Sequence, residues 1–321
     1  MKIFIEIPTW LGDAVMATPA IENIIKSNTN SQIVIFGSFV STKLFKEHPN
    51  VKEIIIDDSK NEGNRYKNLF RSARSIGKVD MAFSFRKNFT TKFLLFFINA
   101  KQKFIYKRFD KKLNTHQVIR YNDFINRSLF TDSKPEKLKI YLSSTKEKNH
   151  KKILGLNPGA TYGSAKRWYP KEFAKVAIAL SQIYDIKIFG GPGETEIALD
   201  IEKSLEKEGI KNFENLAGKT SVEELISNIS ALDLFITNDS GPMHVAAAFN
   251  VPTVSIFGPT RHYETNQWQN DYEMLLRKDL ECSPCMKRTC PLQDEDKNHA
   301  CMKEVTAQDV LQKLKNELII K

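Results

Sequence analysis

The segment ALDLFITNDSGPMHVAAAFNVPTVSIFGP, residues 231–259, has the pattern of a strand, a tight loop, a helix and a second strand. Residues 232–237 are a short apolar run that favours β-structure and ends at the turn-forming sequence NDSG. Residues 251–257 are apolar throughout, which is typical of a strand buried on both faces in a parallel sheet. The segment therefore predicts a βαβ unit, and with it an α/β fold.

The loop inside this unit is a candidate anion site. Pro242 suits the first turn of a helix, so either Ser240 or Gly241 is the expected N-cap. A loop that leaves the carboxyl end of a strand and enters a helix offers free N–H groups to phosphate oxygens. Asp239 and His244 stand beside that opening. An ordinary βαβ turn with polar residues is the alternative interpretation.

Alternation of strands and helices extends through both halves of the chain. At 321 residues the chain exceeds the usual size of one hydrophobic core. Residues 143–150, SSTKEKNH, form a polar linker before the clean strand at 153–157. We therefore predict two α/β domains, residues 1–148 and 149–304, and a terminal amphipathic helix within 305–321.

Positive charge is concentrated in the first half. Residues 1–150 hold 27 Lys and Arg against 14 Asp and Glu, whereas the remainder holds 21 against 24. This asymmetry indicates that the first domain meets an anionic partner, such as a phosphorylated lipid, a membrane surface or nucleic acid. The basic half lacks aromatic stacking motifs, which disfavours nucleic acid. Solubility alone is the alternative explanation.

Three further stretches bear on location and fold. No apolar run approaches the ~18 residues needed to span a bilayer, so a cytoplasmic protein is expected. The phenylalanines of residues 89–98 have near-helical spacing, which predicts mostly core with a lesser membrane contact. Residues 101–113 are basic and are predicted as a loop.

The loop WLGD, residues 10–13, follows the first predicted strand. Asp13 can serve as a general base where it comes within hydrogen-bond reach of a hydroxyl. A helix N-cap is the alternative role for the same carboxylate. Arg86 and Lys87 follow the fourth predicted strand, and so would project from the same edge of the sheet.

Two loops of the second domain have the composition of a diphosphate site. Residues 157–168, NPGATYGSAKRW, combine glycines, hydroxyls and the cation Lys166 between a strand and a helix, although the glycine spacing is not that of a Walker A motif. Residues 190–194, GGPGE, place Glu194 where it can reach a ribose. A solvated surface loop is the alternative for each.

Four cysteines near the end of the chain have metal-ligand spacing. Cys282, Cys285, Cys290 and Cys301 follow the pattern C-x2-C-x4-C-x10-C, with His299 nearby. Such a cluster can bind zinc or an iron–sulfur centre, while disulfides are disfavoured in a reducing compartment. Loop thiols without a metal are the favoured interpretation.

Four segments together resemble the lipopolysaccharide heptosyltransferases of glycosyltransferase family nine, and most closely their heptosyltransferase II branch. They are PTWLGDAVMATPA, NPGATYGSAKRWYP, NLAGKTSVEELI and TNDSGPMHVAAAFNVPTVSIFGP, in the family's order over nearly the whole chain. The resemblance implies the GT-B fold, in which two Rossmann-like domains face each other across a cleft. It further implies that the terminal helix docks back towards the first domain.

The resemblance also implies an activity and its residues. The activity is inverting transfer of L-glycero-D-manno-heptose from ADP-heptose to the first heptose of heptosyl-Kdo2-lipid A, at the inner face of the inner membrane. Asp13 matches the family's base, and Lys166 matches the cation that neutralises the leaving ADP, so no metal or other cofactor is expected. The donor would contact Thr161, Tyr162, Lys166, Glu194, Asp239, Ser240, Gly241 and His244. The acceptor would contact Gly12, Arg86, Lys87 and Arg120.

Two alternatives to this activity stay open. A related GT-B transferase with another donor or acceptor, such as heptosyltransferase I, is the nearer one. A non-catalytic nucleotide-binding module is the other, although it would not need Asp13 to face Lys166 and Asp239. The oligomeric state and the accepting hydroxyl are not predicted.

Overall fold

The computed structural model describes residues 1–61, 63–107, 114–142, 151–317 and 319. The chain divides into two compact units, Met1–Ser143 and Ser144–Lys321. The predicted linker, residues 143–150, lies outside the described residues. None of the described helices is long and apolar enough to cross a bilayer.

The first unit is built on one five-stranded sheet. Its strands are β1 (Lys2–Glu6), β2 (Gln32–Gly37), β3 (Val51–Ile56), β4 (Lys78–Ser84) and β5 (Asn99–Ile105). The order is β3-β2-β1-β4-β5, and every pairing among them is parallel. The strand order therefore reverses between β1 and β4, which is where such sheets bind ligands.

Helices connect and follow these strands in the described part of the unit. They are α1 (Leu11–Met16), α2 (Thr18–Lys26), α3 (Phe39–Thr42), α4 (Arg65–Ser75), α5 (Phe89–Phe97) and α6 (Gln117–Leu129). A buried cluster joins α4 and α5 to the sheet through Leu69, Ala73, Leu94 and Leu95. Helix α2 packs against α6.

Strand β5 corrects the prediction of a loop at 101–113. Its residues up to Ile105 pair with β4 in parallel register, from Lys78↔Asn99 to Ser84↔Ile105. Lys101 and Lys103 alternate along its exposed side, as is common on an edge strand, and these lysines hid the strand in the sequence. Residues 108–113 of the same stretch lie outside the described residues.

The second unit is built on a six-stranded sheet. Its strands are β6 (Lys152–Asn157), β7 (Tyr184–Ile188), β8 (Phe213–Asn215), β9 (Leu234–Asn238), β10 (Thr253–Ile256) and β11 (Glu273–Leu276). The order β11-β10-β9-β6-β7-β8 reverses between β6 and β9, and all these pairings are parallel.

Its helices are α7 (Pro170–Leu180), α8 (Thr195–Lys207), α9 (Val222–Ser230), α10 (Gly241–Ala248), α11 (His262–Thr265), α12 (Ala300–Lys303) and α13 (Ala307–Asn316). The βαβ unit predicted from residues 231–259 is confirmed as β9, α10 and β10, and Ser240 is the N-cap of α10. Terminal helix α13 buries Val310 and Leu314 in the core of this unit and packs against α7. An additional approach of α13 to the first domain stays a prediction.

Candidate active site

Lys166 and Asp239 meet at the point where the strand order of the second sheet reverses. Strands β6 and β9 are neighbours, with Asn157 paired to Thr237. The loops that follow them therefore leave the sheet side by side. The Lys166 ammonium lies 2.5 Å from Asp239 Oδ2 and donates to the Asp239 carbonyl oxygen at 3.3 Å. The two side chains are only 12% and 5% exposed, so little water screens this ion pair.

Two asparagine amides fix the loops to each other. Asn157 Nδ2 donates to Thr237 Oγ1 at 3.2 Å and to Ser240 Oγ at 3.1 Å. Asn238 Nδ2 donates to the Pro158 carbonyl at 2.8 Å, while its Oδ1 accepts the Trp168 backbone N–H at 3.0 Å. Both asparagines are buried, so the amides replace water as partners of the loop backbone. The loops consequently form one rigid surface.

Further contacts orient the ion pair. Thr260 Oγ1 donates to Asp239 Oδ2 at 2.6 Å. The Tyr162 ring lies under the Lys166 ammonium at 4.8 Å and under the Arg288 guanidinium at 5.3 Å. Lys166 and Thr260 thus contact the Asp239 carboxylate, and Lys166 and Arg288 lie over the Tyr162 ring. Two cations and a hydroxyl in one place suit a polyanionic ligand.

Helix α10 begins directly after Ser240, the neighbour of Asp239. Its first residue is Gly241, so the positive end of the helix dipole and its unsatisfied N–H groups lie at the loop. Ser240 caps the helix by backbone geometry, without a side-chain bond to the helix N–H groups. His244 lies one turn inside and is buried. The expected donor site therefore combines the cation Lys166, the carboxylate of Asp239 and the N-terminus of α10.

Glu194 and Thr161 have different surroundings. Glu194 Oε2 accepts the Gly191 N–H at 2.8 Å, so part of the carboxylate is engaged within its own turn. A Cβ at Gly159 would collide with the Glu194 carboxyl group, so the glycine permits this close approach. Thr161 is exposed. Thr161 belongs to the loop after β6, and Glu194 lies against that loop.

Asp13 lies in the first turn of α1 and is half-buried. The alternative that it caps the helix is wrong, because Trp10 occupies the cap position and Asp13 is the third helical residue. Gly12 beside it is buried. Burial raises the pKa of the Tyr121 phenol well above its usual value, and the nearby charge of Asp13 raises it further. The charge of Asp13 therefore acts on a buried tyrosine of α6.

Arg86 does not extend freely from the sheet edge as predicted. Its Nη1 lies 3.1 Å from Glu6 Oε1 and 3.4 Å from Asp57 Oδ2, and its side chain is 11% exposed. Ser84 and Thr91 also donate to Glu6. Arg86 is thus committed to a buried charge network at the end of β1 and β4.

The other two predicted acceptor residues separate. Lys87 is exposed, whereas Arg120 is buried on α6. Burial of Arg120 follows from its position on the helix, which packs against α1 and α2. Of the three cations, Lys87 is the one placed for contact with a large ligand.

The segment that carries the four cysteines packs against the loop after β6. The Ala165 N–H donates to the Arg288 carbonyl at 3.0 Å, and a Cβ at Gly163 would collide with that carbonyl. His299 contacts the Ala165 carbonyl through Nε2 at 3.0 Å, and Tyr169 through Nδ1 at 3.0 Å. Sequence reasoning missed this packing, because the backbone atoms and side chains that make it lie far apart in the chain.

The four cysteines of this segment are all free thiols. Burial raises the pKa of Cys301 to about 11, and its three neighbouring thiols, Cys282, Cys285 and Cys290, contribute to that rise. In the parts of the chain that the structure describes, no three His, Cys, Asp or Glu side chains form a group that could hold a metal ion. The zinc or iron–sulfur alternative therefore finds no ligand set among these residues.

Sequence reasoning also missed the contribution of Asn157, Asn238 and Thr260 to the arrangement around Asp239. Asn157 and Asn238 each occupy the last position of a strand next to the reversal point, so the predicted strand ends carried a usable signal. Thr260 follows β10 by four residues and had no such signal.

Comparison with known proteins agrees with this architecture. The family profile described as glycosyltransferase family 9 (heptosyltransferase) matches residues 78–295. Lipooligosaccharide heptosyltransferase 2 of Campylobacter jejuni is 47% identical over 99% of this chain and 98% of its own. The solved structure of E. coli ADP-heptose LPS heptosyltransferase II superposes with a TM-score of 0.78 at 22% identity, covering 99% of both chains. A family 9 glycosyltransferase from Veillonella parvula gives 0.82 at 24% identity, covering 99% of this chain and 97% of its own.

The two solved structures share the whole fold with this chain. The predicted GT-B fold class with two Rossmann-like domains is therefore confirmed. The profile match spans more than half of the chain, and the Campylobacter relative matches almost all of it. The chain is accordingly a heptosyltransferase that belongs to glycosyltransferase family 9.

Proposed function

We propose that this chain transfers L-glycero-D-manno-heptose from ADP-heptose to the first heptose of the inner core, on heptosyl-Kdo2-lipid A. The observation that carries the proposal is the Lys166–Asp239 pair at the reversal point of the second sheet, beside the N-terminus of α10. The 47% identical relative is named as heptosyltransferase 2, which supports the choice of acceptor. The E. coli protein that shares the fold is named as an ADP-heptose enzyme, which supports the choice of donor.

Lys166 is proposed to hold the donor diphosphate. An ammonium has three N–H donors, and Asp239 accepts two of them. The third can reach a phosphate oxygen, which the α10 N-terminus also attracts. Thr161, Tyr162, Ser240, Gly241 and His244 would line the same site, with Glu194 at the ribose. The charge that grows on ADP is then met by fixed groups, and no metal or cofactor is required.

Asp13 is proposed as the general base. Its carboxylate would take the proton of the accepting hydroxyl while that oxygen attacks the anomeric carbon. The bond from this carbon to the diphosphate breaks on the opposite face, so the configuration inverts. ADP leaves with the bonding electron pair, and Lys166 compensates the new charge.

The acceptor is proposed to bind along the first domain at the inner face of the inner membrane. Gly12 permits close approach next to Asp13, and Lys87 would meet Kdo carboxylates or lipid phosphates. Arg86 and Arg120 would act indirectly, by holding in place the loops that carry Gly12 and Lys87. This division follows from the burial of both arginines.

The deciding experiment incubates the purified protein with ADP-heptose and heptosyl-Kdo2-lipid A and measures the product mass. We expect one added heptose. The same assay with Kdo2-lipid A tests the heptosyltransferase I alternative, and we expect no transfer there. Transfer to Kdo2-lipid A alone would replace our proposal with that alternative, and absence of transfer to both would exclude these donor–acceptor pairs.

A further inference from the structure

Six aromatic side chains form a continuous stripe on α4 and α5. They are Tyr66, Phe70, Phe89, Phe93, Phe96 and Phe97. Successive ring centroids are 4.9 to 6.2 Å apart. Phe96 is 75% exposed and Phe89 is 68% exposed, so the prediction that the phenylalanines of residues 89–98 are mostly core is wrong for these two, and the outer side of the stripe faces water.

Phe93 and Phe97 are partly buried and pack against the core of the first unit, whereas the other four rings are exposed. Helix α5 fills this core with Leu94 and Leu95, and α4 fills it with Leu69 and Ala73. Both helices are therefore apolar on the inner side and aromatic on the outer side. Contiguous exposed apolar surface of this kind is unusual on a soluble monomer, and it marks an interaction surface.

Cations surround the stripe and acids are almost absent. Residues 63–107 contain eleven Lys and Arg but one acid, Asp80, which pairs with Lys101 at 2.6 Å. The surplus of +10 in this segment equals the formal net charge of the whole chain. Exposed cations on the same two helices are Lys67, Arg71, Arg74 and Lys92.

We propose that the aromatic stripe with its cations is a docking surface for an anionic lipid bilayer. Aromatic rings would enter the boundary between headgroups and acyl chains, and the cations would meet lipid phosphates. Helices α4 and α5 would lie on the membrane, each being far too short to span it. The proposal rests on the proposed function only in that a lipid-anchored acceptor gives the docking its purpose.

The charge favours a bilayer over a second copy of the chain. In a two-fold dimer the same patch of both subunits would meet, and the two positive surfaces would repel each other. An anionic membrane offers an apolar layer to the rings and phosphates to the cations. It is the occupant to which the surface is complementary.

Sedimentation with lipid vesicles tests the proposal. We expect the protein to bind vesicles of phosphatidylethanolamine and phosphatidylglycerol, and to bind phosphatidylcholine vesicles much more weakly. The double substitution Phe89→Ser/Phe96→Ser should weaken binding at least about tenfold, because two rings no longer enter the lipid. Phe130→Ser is the matched control, since Phe130 is the most exposed aromatic side chain described and lies on neither helix. Its binding should equal that of the unaltered protein.

A second pair of variants tests the cations. Lys67→Gln/Arg71→Gln/Arg74→Gln should weaken binding to anionic vesicles by about a hundredfold at low salt. Lys203→Gln/Lys207→Gln/Lys211→Gln removes the same charge from exposed lysines of the second unit and should change it little. Thermal unfolding of each variant verifies that it is folded.

Three outcomes would overturn the proposal. They are unchanged binding of the phenylalanine variant, equal losses in the two charge variants, and a dimer in solution that only the phenylalanine variant dissociates. Transfer to a deacylated, water-soluble acceptor separates this proposal from the proposed function. The phenylalanine variant should retain that transfer. If the unaltered protein and all variants fail to transfer heptose while vesicle binding follows our expectation, the proposed function is wrong and the docking surface stands.

Discussion

Lys166 and Asp239 are separated by 73 residues in the chain and share one short ion pair. Such a pair lowers the net charge of the site while no ligand is bound, and it holds the ammonium in one place. The N–H groups of the Lys166 ammonium are therefore already oriented when the diphosphate binds. Preorganisation of this kind is what makes a charge useful in a transition state.

The first prediction concerns Lys166. Lys166→Ala should weaken ADP binding and lower turnover by about a hundredfold or more, since the charge on ADP is largest as it leaves. Calorimetry with ADP and single-turnover rates measure the two effects. Lys175→Ala is a matched control, because it removes an exposed lysine that pairs with Glu172 on α7 and should change neither quantity.

A double variant separates catalysis from ion pairing. If Lys166 only neutralises Asp239, then Lys166→Ala/Asp239→Asn should recover normal turnover. We expect no recovery, because the phosphate oxygens still lack their cation. Recovery would reduce Lys166 to a structural residue.

The second prediction concerns Asp13. Asp13→Asn keeps the size of the side chain in the first turn of α1 and removes its basicity. Turnover should fall about a hundredfold or more, while the affinity for the donor stays nearly constant. Trp10, not Asp13, caps the helix, so the unfolding midpoint should change little. A variant that turns over normally would remove Asp13 from the mechanism.

At the scale of elements, the ends of β1 and β4 are joined by a buried charge network. Burial raises the pKa of Glu6, while Arg86 and the hydroxyls of Ser84 and Thr91 act in the opposite direction. The net shift is upward, so the ionised form of Glu6 depends on its partners. Arg86 is the cation among them.

The third prediction follows from that dependence. Arg86→Met should destabilise the protein by about 3–5 kcal/mol, because it leaves a buried carboxylate without its cation. The pKa of Glu6 is then raised further in the folded state, so the deficit should grow as pH rises from about 5 to about 8. Denaturant unfolding at several pH values measures it. Arg86→Met/Glu6→Gln should recover most of the loss, and a deficit that is independent of pH would contradict this account.

The fourth prediction uses Lys87, the exposed neighbour of Arg86. Lys87→Ala should leave stability unchanged and raise the apparent KM for the acceptor, most at low salt, without changing that for ADP-heptose. Steady-state kinetics at two ionic strengths measure this. An unchanged acceptor KM at low salt would leave Lys87 as a solvated surface residue.

Most of the fold could be predicted from the sequence, because apolar runs and turn residues alternate clearly in both halves. Strand β5 could not, since its lysines conceal an edge strand that pairing with β4 stabilises. The terminal helix was recognisable, but its packing against α7 depends on tertiary contacts. Among the site residues, Lys166 and Asp239 were predicted and do meet. Arg86 was misjudged because its partners Glu6 and Asp57 lie far away in the sequence.

At the scale of the whole molecule, the two halves of the chain differ in net charge. The first half carries the positive surplus, and the second half is slightly acidic apart from the few cations around Asp239. The fourth helix and the fifth hold much of that surplus at the surface. An anionic lipid acceptor and an anionic nucleotide would therefore be attracted to different parts of the chain.

The fifth prediction concerns metals. Because Lys166 and the α10 N-terminus are proposed to compensate the charge on ADP, incubation with a chelator such as EDTA should leave the transfer rate within about twofold of its original value. Activity lost with EDTA and restored by magnesium would show that the lysine does not suffice.

The hydrogen bond from Trp168 Nε1 to the Val305 carbonyl spans 137 residues, and it has a consequence for synthesis on the ribosome. Residues 157–168 are translated well before the backbone at Arg288 and Val305 that anchors them. The nascent second domain can therefore pair β6 with β7 early, whereas the loop of residues 157–168 is anchored only after Val305 has been made. A premature stop before Val305 would remove this anchor without removing any residue proposed to touch the nucleotide.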